Sequence, residues 1–195
     1  MTIYLDLLCA AEIALRYRSQ MIPTSNPHSQ YKAYHTKIDA AIKRVLESGQ
    51  YILGKEVEAF EQEFSSYLGA EYAIGVASGT DALRISLLAL GISSGDEVIM
   101  PSLTSVATAM AVLSVGATPV LADVEMDTFV ISATSAARLI GKQTRAVMPV
   151  HLYGRGCDMD QLRDLTKRNG ISLIEDCSHA HGAAWNGTKL GNFGD

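Results

Sequence analysis

The sequence contains no GxGxxG and no GxxxxGK[ST], so dinucleotide and P-loop nucleotide binding lack their glycine frames. It has no GxSxG elbow, which leaves a serine hydrolase of the α/β type without a seat for its nucleophile. Lysine and arginine form no cluster and the net charge is −5, which argues against a nucleic-acid surface. Cysteine is scarce. Cys9, Cys157 and Cys177 are odd in number and lack CxxC spacing, as fits reduced thiols of a cytoplasmic protein rather than a disulfide framework. Repeats and low-complexity tracts are missing too. The apolar stretch 2–15 raises a signal peptide, but Asp6 and Glu12 interrupt it and no positive charge precedes it. It is also too short to span a bilayer. Residues 1–20 therefore read as an extension outside the fold, with Met21 a candidate start.

What is present is a chain of 195 residues, 48% of them hydrophobic, enough for one well-buried core. Residues 21–30 hold Pro23, Asn26 and Pro27 and read as an irregular arm. From Tyr31 the apolar positions Ile38, Ala41, Ile42, Val45 and Leu46 follow helical spacing up to Gly49. A second helix shows Val57, Phe60, Phe64, Tyr67 and Leu68 before Gly69. Strand-like runs at 72–77, 97–100, 118–122, 145–150 and 171–175 then alternate with helical patterns at 80–90, 105–114, 132–140 and 159–169. That alternation predicts a three-layer α/β/α fold with a mainly parallel sheet. Gly187, Gly191 and Gly194 punctuate a turn-rich end with no closing helix, and the expectation is that the protein continues.

The chemistry concentrates at 171–182, where a buried-strand pattern breaks into Glu175, Asp176, Cys177, Ser178, His179 and His181. In an open α/β sheet, ligands bind at the carboxyl ends of strands. Ser78-Gly79-Thr80-Asp81 lies between a strand and a helix, where free backbone N–H groups suit a phosphate. The same residues also make a plain N-cap, and Asp176 could be a buried acid bonded to amides. Together, a phosphate cradle and an acid able to pair with a protonated ring nitrogen match the two ends of pyridoxal phosphate (PLP). Asp176, Cys177, His179 and His181 could instead bind a metal, with His151 and Cys157 as additions. No second cluster accompanies them, and no metal site is assigned.

Seven blocks in order carry a resemblance: SGQYILGKEVEAFEQEF, VASGTDALRISLLALGI, GDEVIMPSLTSVATAMAV, GATPVLADV, AVMPVHLYG, LIEDCSHAHGA and KLGNFGD. They resemble the DegT/DnrJ/EryC1/StrS family of sugar aminotransferases, PLP enzymes of fold type I. The resemblance implies that residues 21–195 are the N-terminal part of the PLP-binding large domain, the C-terminal part being absent. It also implies conversion of a keto group on a nucleotide-linked sugar to an amine, with glutamate as donor, by a cytoplasmic homodimer. By position, Gly79 and Thr80 fall on the family's phosphate-binding loop and Asp176 on the acid facing the pyridine nitrogen. His179 stands where the family most often has glutamine, near the cofactor's 3-hydroxyl. Ser105 stands where an aromatic usually stacks on the ring, and a hydroxyl cannot stack. His181 falls on an AHG segment with a structural role, and the 51–54 loop is a candidate for the substrate side. The Schiff-base lysine is expected roughly ten residues beyond Asp195, so no catalytic residue is assigned within this chain. The 195 residues alone are expected not to transaminate. A sugar dehydratase using pyridoxamine phosphate, or a non-catalytic PLP-binding regulator, are the alternatives.

Overall fold

Val98-Ile99-Met100 offers no polar face to water, so a strand made of it has to be covered on both sides. The computed structural model, which describes residues 23 and 25–195, builds such a sheet. The chain separates into two compact units, one up to Glu56 and one running Val57–Asp195.

The first unit holds helix α1 (Pro27–Ser48). Here the structure corrects the sequence reading: the helix starts at Pro27, four residues inside the expected arm. Asn26 caps it, its Oδ1 accepting from Ser29 N at 3.2 Å, and proline is favoured at a first helical position that needs no N–H bond. Gly49, at φ 67°, ends it in the left-handed conformation. Arg44 pairs with Glu56 at 2.7 Å on the surface.

Helix α2 (Lys55–Leu68) leads into the second unit. There β1 (Glu97–Pro101), β2 (Thr118–Ala122), β3 (Thr144–Val147) and β4 (Ser172–Leu173) form one parallel sheet in the order β2-β1-β3-β4. Ile99 sits between Val120 and Val147 in register. Alternate residues point to opposite faces, which divides the core in two. On one face Ile99, Ala122, Val147 and Leu173 pack with Ala136 of α5 (Ala133–Leu139) and Met159 and Leu162 of α6 (Met159–Asn169). On the other, Val98, Ala146, Met148 and Ile174 pack with Leu83 and Leu87 of α3 (Gly79–Ala89) and Ala111 and Val112 of α4 (Val106–Ser114). The result is the three-layer α/β/α architecture.

Two expected strands differ. Residues 72–77 run without a ladder partner among the described residues, and Tyr72 and Ile74 are exposed. Strand composition alone cannot make a strand where no neighbour supplies hydrogen bonds. The 171–175 run is formally two residues of β4, although an isolated parallel bridge between Val150 and Asp176 prolongs the pairing. The turn-rich end holds a hairpin, β5 (Ala184–Trp185) and β6 (Thr188–Lys189), joined by Asn186 and Gly187 at φ 47° and 83°. The chain then returns to β4, where Leu173 O accepts from Asp195 N at 2.9 Å. A side chain at Gly194 would bring its Cβ within 2.6 Å of Leu173 O, so glycine is required there. The reading of residues 1–20, Cys9 and Met21 lies outside the described residues. No described helix is long and apolar enough to cross a membrane.

Candidate functional site

Beyond their formal ends, β3 and β4 continue side by side: Asp176 N donates to Pro149 O at 2.9 Å and His151 N to Asp176 O at 3.1 Å. This pins the Asp176 backbone at the carboxyl edge of the sheet, with the residue only 7% exposed. Its Oδ1 accepts from Ser178 N at 3.0 Å and from Ser178 Oγ at 2.5 Å. Its Oδ2 accepts from Thr108 Oγ1 of α4 at 3.5 Å, and that buried hydroxyl pairs with Thr104 Oγ1 at 3.0 Å.

The N-terminus of α3 meets the same place. Ser78 caps the helix, its Oγ accepting from Asp81 N at 3.1 Å. The N–H groups of Gly79 and Thr80 have no acceptor among the described residues, as the first turn of a helix dictates. A Cβ added at Gly79 would meet only Ser178 Oγ, at 3.7 Å. Ser178 thus touches both the acid and the helix mouth, and residues nearly a hundred positions apart share one corner of the fold.

The other expected residues divide. Ser105 is exposed and caps α4, its Oγ accepting from Ala107 N at 3.3 Å. His179 is exposed and its ring lies parallel to that of Tyr153, centroids 6.0 Å apart and planes 18° apart. His181 packs against Phe64 at 6.0 Å, an ordinary aromatic contact. The Lys189 amine is bound to the carbonyl of Tyr67 and sits 3.9 Å over its ring.

Glu175 departs from its sequence reading as half of a carboxylate pair awaiting a ligand. The chain itself occupies it: Oε1 accepts from Phe193 N at 2.7 Å and Gly194 N at 2.9 Å. Its Oε2 accepts from Gly191 N at 2.9 Å and His151 Nε2 at 3.1 Å. Because Cys157 N donates to His151 Nδ1 at 3.0 Å, the ring proton resides on Nε2 and points at Glu175. Burial pushes the Glu175 carboxyl up, but the bonds from His151, Gly191, Phe193 and Gly194 outweigh it and hold it below its ordinary value.

Donor atoms of His151, Glu175 and Cys177 lie within 4.8 Å of one another, a different set from the Asp176, Cys177, His179 and His181 quartet of the sequence. Both ring nitrogens of His151 and both oxygens of Glu175 are already engaged. Burial pushes the Cys177 thiol up to about 12, helped by the charges of Glu175 and Asp176, so it stays protonated. Sequence reasoning missed Thr108 and Tyr153, which reach the site only through tertiary contact.

Residues 32–195 match the model of the DegT/DnrJ/EryC1/StrS aminotransferase family. The chain is 46% identical over 175 residues to dTDP-3-amino-3,6-dideoxy-alpha-D-galactopyranose transaminase of Aneurinibacillus thermoaerophilus, covering 90% of this chain and 48% of the relative. Among solved structures, S. venezuelae DesV in complex with a ketimine intermediate superimposes with a TM-score of 0.86 at 45% identity, over 87% of this chain and 46% of that one. Bacillus subtilis ntda with bound cofactor PMP gives a TM-score of 0.73 at 39% identity, over 74% and 33%. The chain spans about half the length of the curated relatives it matches.

Proposed function

Because the chain belongs to the DegT/DnrJ/EryC1/StrS aminotransferase family, we propose that the protein is a PLP-dependent aminotransferase that moves an amino group from glutamate to a keto group on a nucleotide-linked sugar. The observation that carries the reading is the meeting of Asp176 with the α3 N-terminus across Ser178. A buried acid and a helix mouth with unpaired N–H groups fit the two polar ends of PLP. The bare backbone at Gly79 leaves room for a phosphate to approach. When bound, PLP supplies the electron sink for amino transfer.

In this reading the N–H groups of Gly79 and Thr80 bind the phosphate, with the positive end of the helix dipole behind them. Asp176 keeps the ring nitrogen protonated, and the hydroxyls of Thr108 and Ser178 hold its two oxygens in orientation. His179 would supply a hydrogen bond to the 3-hydroxyl, and Ser105 would stand in place of a stacking aromatic without being able to stack. No lysine among the described residues is assigned as the Schiff-base former. The active protein is a homodimer.

The test uses protein from the complete reading frame with PLP, ¹⁵N-glutamate and a panel of nucleotide-linked keto-hexoses, dTDP-linked sugars first. Expected is ¹⁵N in an amino-sugar product by mass spectrometry, and a loss of roughly a hundredfold or more in turnover for Asp176→Asn. Incorporation into none of the sugars, or an Asp176→Asn protein as fast as wild type, would overturn the reading.

A further inference from the structure

Beyond β3 the chain passes Val150 and His151 into a short 3₁₀ turn, Leu152–Gly154, at the same sheet edge as Asp176. Tyr153 in this turn has φ 55° and ψ 25°, a left-handed conformation that side chains with a Cβ adopt rarely. Backbone strain of this kind gathers at functional sites. Burial does not compensate for it, because Tyr153 is 75% exposed. What the conformation achieves is a placement: the ring lies parallel on the His179 imidazole, 6.0 Å between centroids. Gly154, at φ 81°, brings the turn against the His179 backbone, and a Cβ there would stand 3.4 Å from His179 O. The His179 imidazole has no hydrogen-bond partner among the described residues, and neither has the Tyr153 phenol. The Tyr153 ring is therefore the flat neighbour that the structure sets beside the imidazole.

We propose that Tyr153 is a positioning residue, whose strained turn holds its ring against His179 so that an imidazole edge is presented to the 3-hydroxyl of bound PLP; this role rests on the PLP reading above. An imidazole needs such a support. Its nitrogens lie in the ring plane, so a ring free to rotate offers its hydrogen bond in any direction, and a flat neighbour restricts it. The contact is made by the ring alone, so the phenol oxygen is dispensable.

Two variants test this. Tyr153→Phe keeps the ring. Tyr153→Gly removes the ring and the strain together, since glycine adopts φ 55° freely, so the fold is expected to persist. In cofactor-free protein from the complete reading frame, labelled at histidine, the His179 ring proton resonance should carry a ring-current shift. The shift should survive in Tyr153→Phe and vanish in Tyr153→Gly. PLP titration should then give a dissociation constant within twofold of wild type for Tyr153→Phe and weakened roughly two- to tenfold for Tyr153→Gly. An unchanged His179 resonance in Tyr153→Gly would overturn the stack. A lost shift with unchanged PLP affinity would overturn the positioning role. Wild type that shows the shift yet takes up no PLP would sink the cofactor reading and this role with it, leaving the stack standing.

Discussion

Glu175 keeps a carboxylate out of water, its side chain only 3% exposed, and surrounds it with three backbone N–H groups and an imidazole N–H. The arrangement clasps the Gly191–Asp195 end of the chain to the β4 strand end, and its pH dependence has a definite sign. The carboxyl is held below its ordinary value, so its contribution is present above the unfolded value of about 4.3 and is lost as pH falls through the lower folded value. Glu175→Gln should destabilise the chain at pH 7 by about 3 kcal/mol, because an amide cannot accept from all four donors. It should also flatten the acid limb of a plot of thermal midpoint against pH below about pH 4.5. Hydrogen exchange at Gly191, Phe193 and Gly194 should quicken; equal midpoints at pH 7 would dismiss the clasp. From the sequence, Glu175 and Asp176 look like one acidic pair. Extended backbone sends neighbouring side chains to opposite faces, so one meets the chain end and the other the site. Which goes where depends on amides 16 to 19 positions later and on Thr108, 68 positions earlier, and no local pattern encodes that. Short blocks around Gly79, Thr80 and Asp176 carry the resemblance that singles them out, and the fold brings them to one corner. Tyr153 could not be read, since its strain and its stack exist only once the turn is folded.

Most elements could be read because each parallel strand lies in or at a short apolar stretch and each helix has a cap or a stop. Helix α6 was expected over 159–169 and β2 over 118–122, as found, and α6 has Asp158 at its start and Gly170 at its end. Residues 72–77 carry the same apolar signal without the ladder, because pairing is a property of two segments. Ser105 shows how an element and a site compete for one residue. The helix α4 uses its hydroxyl as an N-cap, whereas the resemblance puts an aromatic there to stack on the cofactor. Ser105→Tyr should therefore lose about 1 kcal/mol of stability, a fall of roughly 2–4 °C in the melting temperature of cofactor-free protein. The same variant should bind PLP roughly two- to tenfold more tightly. Ser105→Ala serves as the control, with the same fall and no gain in affinity. Calorimetry and PLP titration of the three proteins check this, and a Ser105→Tyr protein that gains no affinity removes Ser105 from the cofactor's surroundings.

Helix α1 runs for 22 residues, and none of them is buried among the described residues. Ile38, Ala41 and Val45 are half-buried, while Ile42 and Leu46 on the adjoining stripe are 53% and 60% exposed. Apolar spacing of this regularity marks a face built for contact, and the proposed homodimer supplies a second copy to cover it. Burying Ile42 and Leu46 from each of two chains, at roughly 1.5–3 kcal/mol per side chain, would be a large share of a dimer's association energy. The double variant Ile42→Lys/Leu46→Lys should weaken association by roughly a thousandfold or more, since lysine replaces the apolar contact and places charge in its path. Sedimentation velocity of the protein from the complete reading frame at micromolar concentration should show twice the chain mass for wild type and a single chain mass for the variant. A wild type that sediments as a monomer dismisses the homodimer, whereas a variant that stays dimeric moves the interface away from this stripe.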